Sequence, residues 1–128
     1  MDKRHAFVFI AVVALGAITT SQAFAVKEFD AEFKKMYVPP DPTDPNQKAF
    51  KAAADKAKCN VCHVGTKKTD RNAYGQELDK LLNRKTDAKA PNKIQAALKQ
   101  VEGMRSKPDD EKSPTFGEKI KAGKLPGE

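Results

Sequence analysis

The fold of this chain turns on the stretch Cys59-Asn60-Val61-Cys62-His63. It is C-x-x-C-H, the pattern by which a c-type haem is attached. On one helical turn, positions i, i+3 and i+4 project to the same side. The two thiols then reach the two vinyl groups on one edge of a porphyrin while the imidazole swings beneath the ring to bind iron. Cys59 and Cys62 are therefore the expected covalent attachments of a single haem c, and His63 its proximal ligand. Three other chemistries use similar residues. A thioredoxin-like C-x-x-C expects a βαβ setting, and no segment here has the period-two alternation of a strand. A structural zinc site needs four ligands, more than the two cysteines and single histidine that remain once the leader described next is removed. A disulfide between Cys59 and Cys62 stays chemically open in an oxidising compartment, although closing so short a loop adds little stability.

Upstream, Asp2-Lys3-Arg4-His5 is a short net-basic head, Ala6 to Ile18 is uninterrupted and apolar, and Ala23-Phe24-Ala25 has the A-x-A form of a cleavage site. Residues 1–25 are read as a secretory signal peptide cut after Ala25. The apolar run is short of the roughly 20 residues that span a bilayer, so no stable membrane insertion is expected after cleavage. Export to the periplasm or beyond follows. Processing also removes His5, which leaves His63 as the only histidine and excludes bis-histidine ligation within one chain.

The whole chain has 128 residues and a formal charge of +7, a size that allows one domain. Without residues 1–25 it has 103 residues, 22 basic and 16 acidic side chains, and a charge of +6. Leucine, isoleucine, valine and phenylalanine supply only 16 of those 103 residues. That is under the roughly 20% below which a highly charged chain tends to stay disordered. Something besides these side chains is expected to fill the centre, and a covalently held macrocycle packed by Leu78, Leu82, Leu98, Val101 and Phe50 would do so.

Either side of the motif the pattern is helical, and the fold class is read as all-α with long connectors. Phe29, Phe33 and Met36 give a short amphipathic helix over 28–36. Pro39, Pro40, Pro42 and Pro45 make 38–46 an extended connector that no helix crosses. Asn46 or Asp44 caps a second helix running from Gln47 to Lys58, which delivers Cys59. A basic loop over 65–72 is followed by a third helix with Tyr74, Leu78, Leu81 and Leu82 on its apolar face, weakened in its first turn by Gly75. Pro91 opens a fourth helix whose stripe is Ile94, Leu98, Val101 and Met104. Thr115 caps a last helix from Phe116 to Lys121 that ends at Gly123. The expected organisation is a leader over 1–25, an N-terminal extension and Pro-rich connector over 26–46, and a haem domain over 47–128.

The order of helix, CxxCH, basic loop and further helices resembles small single-haem c-type cytochromes of the class I kind. Cys62-His63-Val64-Gly65 followed by Arg71-Asn72-Ala73-Tyr74-Gly75 is also similar to short exported bacterial cytochromes with RNxYG after the haem motif. The resemblance implies a cytochrome c-like helical domain wrapped around one covalent haem, in a bacterial exported protein. Class I chains begin CxxCH nearer the mature N-terminus; here 33 residues separate the expected cleavage point from Cys59, so the first helix and connector are an extra element. Met104, 41 residues after His63, matches the His-to-Met separation of short class I cytochromes and is the first choice of sixth ligand, with Met36 the second. A methionine on an apolar stripe is otherwise core filler.

A six-coordinate iron reorganises little between its oxidation states, which suits a one-electron carrier and not an enzyme. Lys67, Lys68 and Arg71 follow the motif and would steer docking onto an acidic redox partner. The alternative is a five-coordinate haem c protein that binds a small gas ligand or acts as a sensor. Peroxide chemistry lacks a distal histidine. No continuous basic stripe marks a nucleic-acid or anionic-membrane binder, because the helices mix both signs. With Cys59 and Cys62 both replaced, the chain is expected to be largely unfolded, and far-ultraviolet circular dichroism through a thermal scan checks this.

Overall fold

A computed structural model describes residues 27–128, and the expected leader lies outside them. The described chain is all-α: helices α1 (Lys27–Tyr37), α2 (Pro45–Ala57), α3 (Ala73–Leu81), α4 (Pro91–Glu102) and α5 (Phe116–Lys121), with a 3-10 turn at Lys58–Val61. Among the described residues there is no strand, only two isolated bridges, His63 with Arg71 and Arg105 with Thr115. No described helix is long and apolar enough to cross a membrane.

Local chemistry sets the boundaries. Asp44 is the residue that caps α2, its carboxylate accepting from the Gln47 amide at 3.1 Å, and Pro45 occupies the first turn where a missing N–H costs nothing. At α5 the cap is reciprocal: Thr115 Oγ1 accepts from the Glu118 amide at 3.1 Å, and the Thr115 amide donates to Glu118 Oε2 at 2.7 Å. The second helix stops one residue earlier than its composition suggests. Lys58 has φ 51° and ψ −116°, a backbone state that side-chain-bearing residues rarely adopt, and it turns the chain out of α2 just before Cys59.

Helix α4 is the hub, burying Ile94, Ala97, Leu98 and Val101 and packing against α1, α3 and α5. Residue numbers rise in step along α1 and α4. Glu32 accepts from Gln95, and the Tyr37 hydroxyl donates to Glu102 Oε2 at 3.0 Å and to the Leu98 carbonyl at 3.3 Å. The two helices therefore run side by side in the same direction.

The core that forms is built largely around aromatic rings, of which only Tyr37 and Tyr74 add to the side chains counted above. Phe33 stands 5.2 Å from Tyr37, 6.2 Å from Phe50 and 6.0 Å from Tyr74, and Tyr74 stands 5.3 Å from Phe116, all in tilted or edge-on geometry. Such pairs contribute about 0.5–1.5 kcal/mol each beyond burial. Tyr74 is 0% exposed, yet its hydroxyl finds no hydrogen-bond partner among the described residues, and burial pushes its pKa well above the usual tyrosine value. Counting aliphatics and phenylalanines alone misses it.

Helix α1 is also more than an appended element. Phe33 is buried in the same cluster as Phe50 and Val101, and Phe29, Met36 and Tyr37 pack against that cluster. Tyr37→Phe removes the hydroxyl that ties α1 to α4 and leaves a carboxylate and a carbonyl to solvent. It is expected to lower stability by about 1 kcal/mol, read as a shift in the urea midpoint at unchanged slope.

Candidate functional site

The CxxCH segment forms a single tight turn, with the Cys59 carbonyl accepting from the amides of Cys62 at 3.3 Å and His63 at 3.1 Å. That closure puts both thiols and the imidazole on one cleft. It is a turn of its own, separated from α2 by Lys58 and not a continuation of that helix.

Helix α3 is clamped onto this turn by residues of the RNxYG stretch. Asn72 works in three directions. Its backbone amide donates to the Cys62 carbonyl at 3.0 Å, its Nδ2 donates to the carbonyls of Val61 at 2.9 Å and Asn60 at 3.3 Å, and its Oδ1 caps α3 by accepting from the Gly75 amide at 2.9 Å. Gly75 is the point of closest approach: a Cβ there would lie 2.1 Å from the Cys62 carbonyl oxygen. The glycine that weakens the third helix as a sequence is thus what lets that helix touch the motif. Arg71 holds the outer edge, ion-paired with Asp79 at 2.9 Å.

The 64–70 loop fixes His63. The Val64 amide donates to the Asp70 carbonyl at 3.0 Å, and His63 Nδ1 donates to the same carbonyl at 3.2 Å. A proton held on Nδ1 leaves the lone pair of Nε2 available to a metal, the orientation that an outer hydrogen-bond partner gives to ligating histidines. Cys59 is exposed, Cys62 is half-buried, and neither is in a disulfide. Burial pushes the Cys62 thiol up to about 12, with the charges of Asp30 and Cys59 adding to the effect. Among the described residues there is no strand to supply the βαβ setting that a thioredoxin-like C-x-x-C expects.

The cleft beside the turn has a volume of about 390 Å³, within the range of cofactor-sized pockets. Its apolar walls are Phe29 and Phe33 of α1, Leu78 of α3, Leu82, and Ile94 and Leu98 of α4. Of the residues expected to pack a macrocycle, Leu78, Leu82 and Leu98 line the cleft, whereas Val101 and Phe50 are buried in the core and do not line it. Phe29, Phe33 and Ile94 are additions; the i, i+4 spacing of the two phenylalanines was the available signal. Lys68 and Arg71 line the cleft and Lys67 does not.

Met104 and Met36 are not brought to it. Met104 follows the end of α4, is 36% exposed, and holds Phe116 through a backbone bond of 3.0 Å. It is neither the last rung of the α4 stripe nor a wall of the cleft, because Gly103 ends the helix first. Met36 packs, half-buried, against the aromatic core. Among the described residues no group of three or more His, Cys, Asp or Glu side chains is placed to hold a metal ion by itself.

Gly75→Ala forces α3 off the motif, and Asn72→Asp keeps the helix cap while turning the donor to Val61 into an acceptor. Each is expected to cost about 1–3 kcal/mol in urea unfolding, with Asn72→Ala no milder than Asn72→Asp. Comparison of the chain with protein-family models, with curated proteins and with solved structures finds no match, so the reading of the site rests on its own geometry.

Proposed function

We propose that this protein is an exported single-haem c-type cytochrome that carries one electron at a time. The observation that carries the reading is the CxxCH turn opening onto an apolar cleft with His63 anchored through Nδ1. The fit is chemical as well as spatial. Two unpaired thiols on one turn suit addition across two vinyl groups, each S–H supplying the sulfur to one carbon and the hydrogen to its neighbour. Nε2 of His63 is the free donor for iron. Bound haem would supply the one-electron couple of its iron.

The chain's own residues do the rest. Cys59 and Cys62 keep the cofactor from being lost outside the cell. Asp70, through its carbonyl, holds the imidazole in one tautomer. Phe29, Phe33, Leu78 and Leu98 exclude water from the faces of the cleft, which limits reorganisation when charge changes. Lys68 and Arg71 at its rim favour a transient encounter with an acidic redox partner, weakened by salt.

A second reading has a specific observation in its favour. Met104 and Met36 both lie away from the cleft, which favours an iron without a thioether ligand and so a five-coordinate haem c protein that binds a small gas ligand or senses one. Absorption and electron paramagnetic resonance spectra of the purified protein, matured with a haem-attachment system, separate the two. A carrier shows covalent haem, a low-spin ferric state and no response of the ferrous form to carbon monoxide. A high-spin ferric state that binds carbon monoxide on reduction moves the assignment to the second reading, and absence of covalent haem overturns both. On the second reading Met104→Ala and Met36→Ala leave the haem spectrum unchanged, whereas loss of the low-spin state in either variant assigns that methionine to the iron of a carrier.

A further inference from the structure

The cleft has two ends, and its charged residues are sorted between them. Gly75, at the start of α3, touches Cys62, so the near end of the cleft is the cysteine end. From Gly75 the chain runs about 10 Å along α3 to Leu82, at 1.5 Å per residue, and Arg84 follows in the next turn. That turn is pinned. The buried Asp87 carboxylate accepts from the Asn83 amide at 2.8 Å and from Thr86 Oγ1 at 3.0 Å, and pairs with Lys93 Nζ, in the first turn of α4, at 2.8 Å. Arg84 is thereby held at the end of the cleft where α4 begins.

Helix α1 reaches the same end independently. It runs parallel to α4 with Tyr37 at Leu98 and Glu102 and Glu32 at Gln95. Five residues before Glu32, Lys27 falls level with the start of α4. Both Lys27 and Arg84 line the cleft.

Among the described residues their charges are uncompensated. Lys34 is paired with Asp30 at 2.8 Å and Arg71 with Asp79 at 2.9 Å, which uses both carboxylates of the lining. Lys27 and Arg84 have no ion pair or side-chain hydrogen bond among the described residues, and a third such cation, Lys58, adjoins Cys59 at the opposite end. Two unpaired cations at the end of an apolar cleft remote from its two thiols match a ligand that is flat, apolar and anionic along one edge.

We infer that Lys27 and Arg84 form a two-cation seat for the carboxylate edge of the cofactor. The inference rests on the haem reading. In a haem the vinyl groups and the two propionates lie on opposite edges of the ring, so thioethers at Cys59 and Cys62 direct the propionates to this seat. Both cations are positioning residues, and Arg84 offers the bidentate fork that suits a carboxylate.

The test uses the matured holoprotein. Lys27 and Arg84 are exposed, so Lys27→Gln and Arg84→Gln spare the core. Removing a cation beside a propionate leaves that negative charge facing the iron and favours the ferric state. Each substitution is expected to shift the ferric-to-ferrous ratio at fixed potential by on the order of threefold, and the double substitution by about the product. Lys27→Arg and Arg84→Lys should stay close to the parent. Lys35→Gln, on α1 outside the cleft lining, makes the same change in net charge and is the control. Shifts at Lys27 and Arg84 no larger than that of Lys35→Gln, with covalent haem retained, overturn the seat. Failure of the unsubstituted protein to take up covalent haem overturns the haem reading instead, and haem staining after denaturing electrophoresis tells the two apart.

Discussion

Everything in the site depends on one backbone contact, the seating of the first turn of α3 on the carbonyls of residues 60–62. Those carbonyls belong to a turn too short to satisfy itself. Asn72 answers them from outside with its amide and its Nδ2, and spends its Oδ1 on the cap of its own helix. The contact is possible only because residue 75 has no Cβ. Once made, it fixes the direction in which α3 leaves the motif, and hence where Leu78 and Leu82 stand in the cleft wall.

The second constraint is the small supply of apolar side chains. The protein concentrates them into a run of edge-on aromatic contacts from Tyr37 through Phe33 and Tyr74 to Phe116, with Phe50 beside Phe33. This run links α1, α2, α3 and α5, and it leaves a cleft beside the CxxCH turn instead of a solid centre. Tyr74 carries a cost, since an unpartnered buried hydroxyl loses its hydrogen bond to water. Its ring is nevertheless the joint between the motif-bearing half of the chain and α5.

Charge is distributed by the same geometry. Salt bridges such as Lys34–Asp30 and Lys51–Asp55 are solvent-accessible and contribute little each. Asp87 differs: it is buried, holds three donors, and its backbone bond from Asn83 followed by the Lys93 contact keeps its pKa below the usual carboxylate value. Its work is to shape the turn between α3 and α4. The net positive charge of the chain is thus partly sorted around the cleft rather than spread evenly.

The sequence alone determined the local features. Cys59, Cys62 and His63 share a turn because their spacing matches its period, Thr115 with Glu118 caps α5 by side-chain chemistry, the prolines from 39 to 42 forbid a helix, and the stripe from Ile94 to Val101 marks α4 as buried. These are set within a few residues, where a residue type and its neighbours are enough. The methionines, α1 and Gly75 were decided only in the tertiary structure. Met104 continues the α4 period on paper, but Gly103 ends the helix before it. Phe33 reads as one face of a detached helix until α1 lies parallel to α4 and buries it. Gly75 reads as a weak helical residue until the Cys62 carbonyl stands where a Cβ would be. Each depends on contacts between residues far apart in the chain, and spacing along one chain carries no information about which distant surface will meet it.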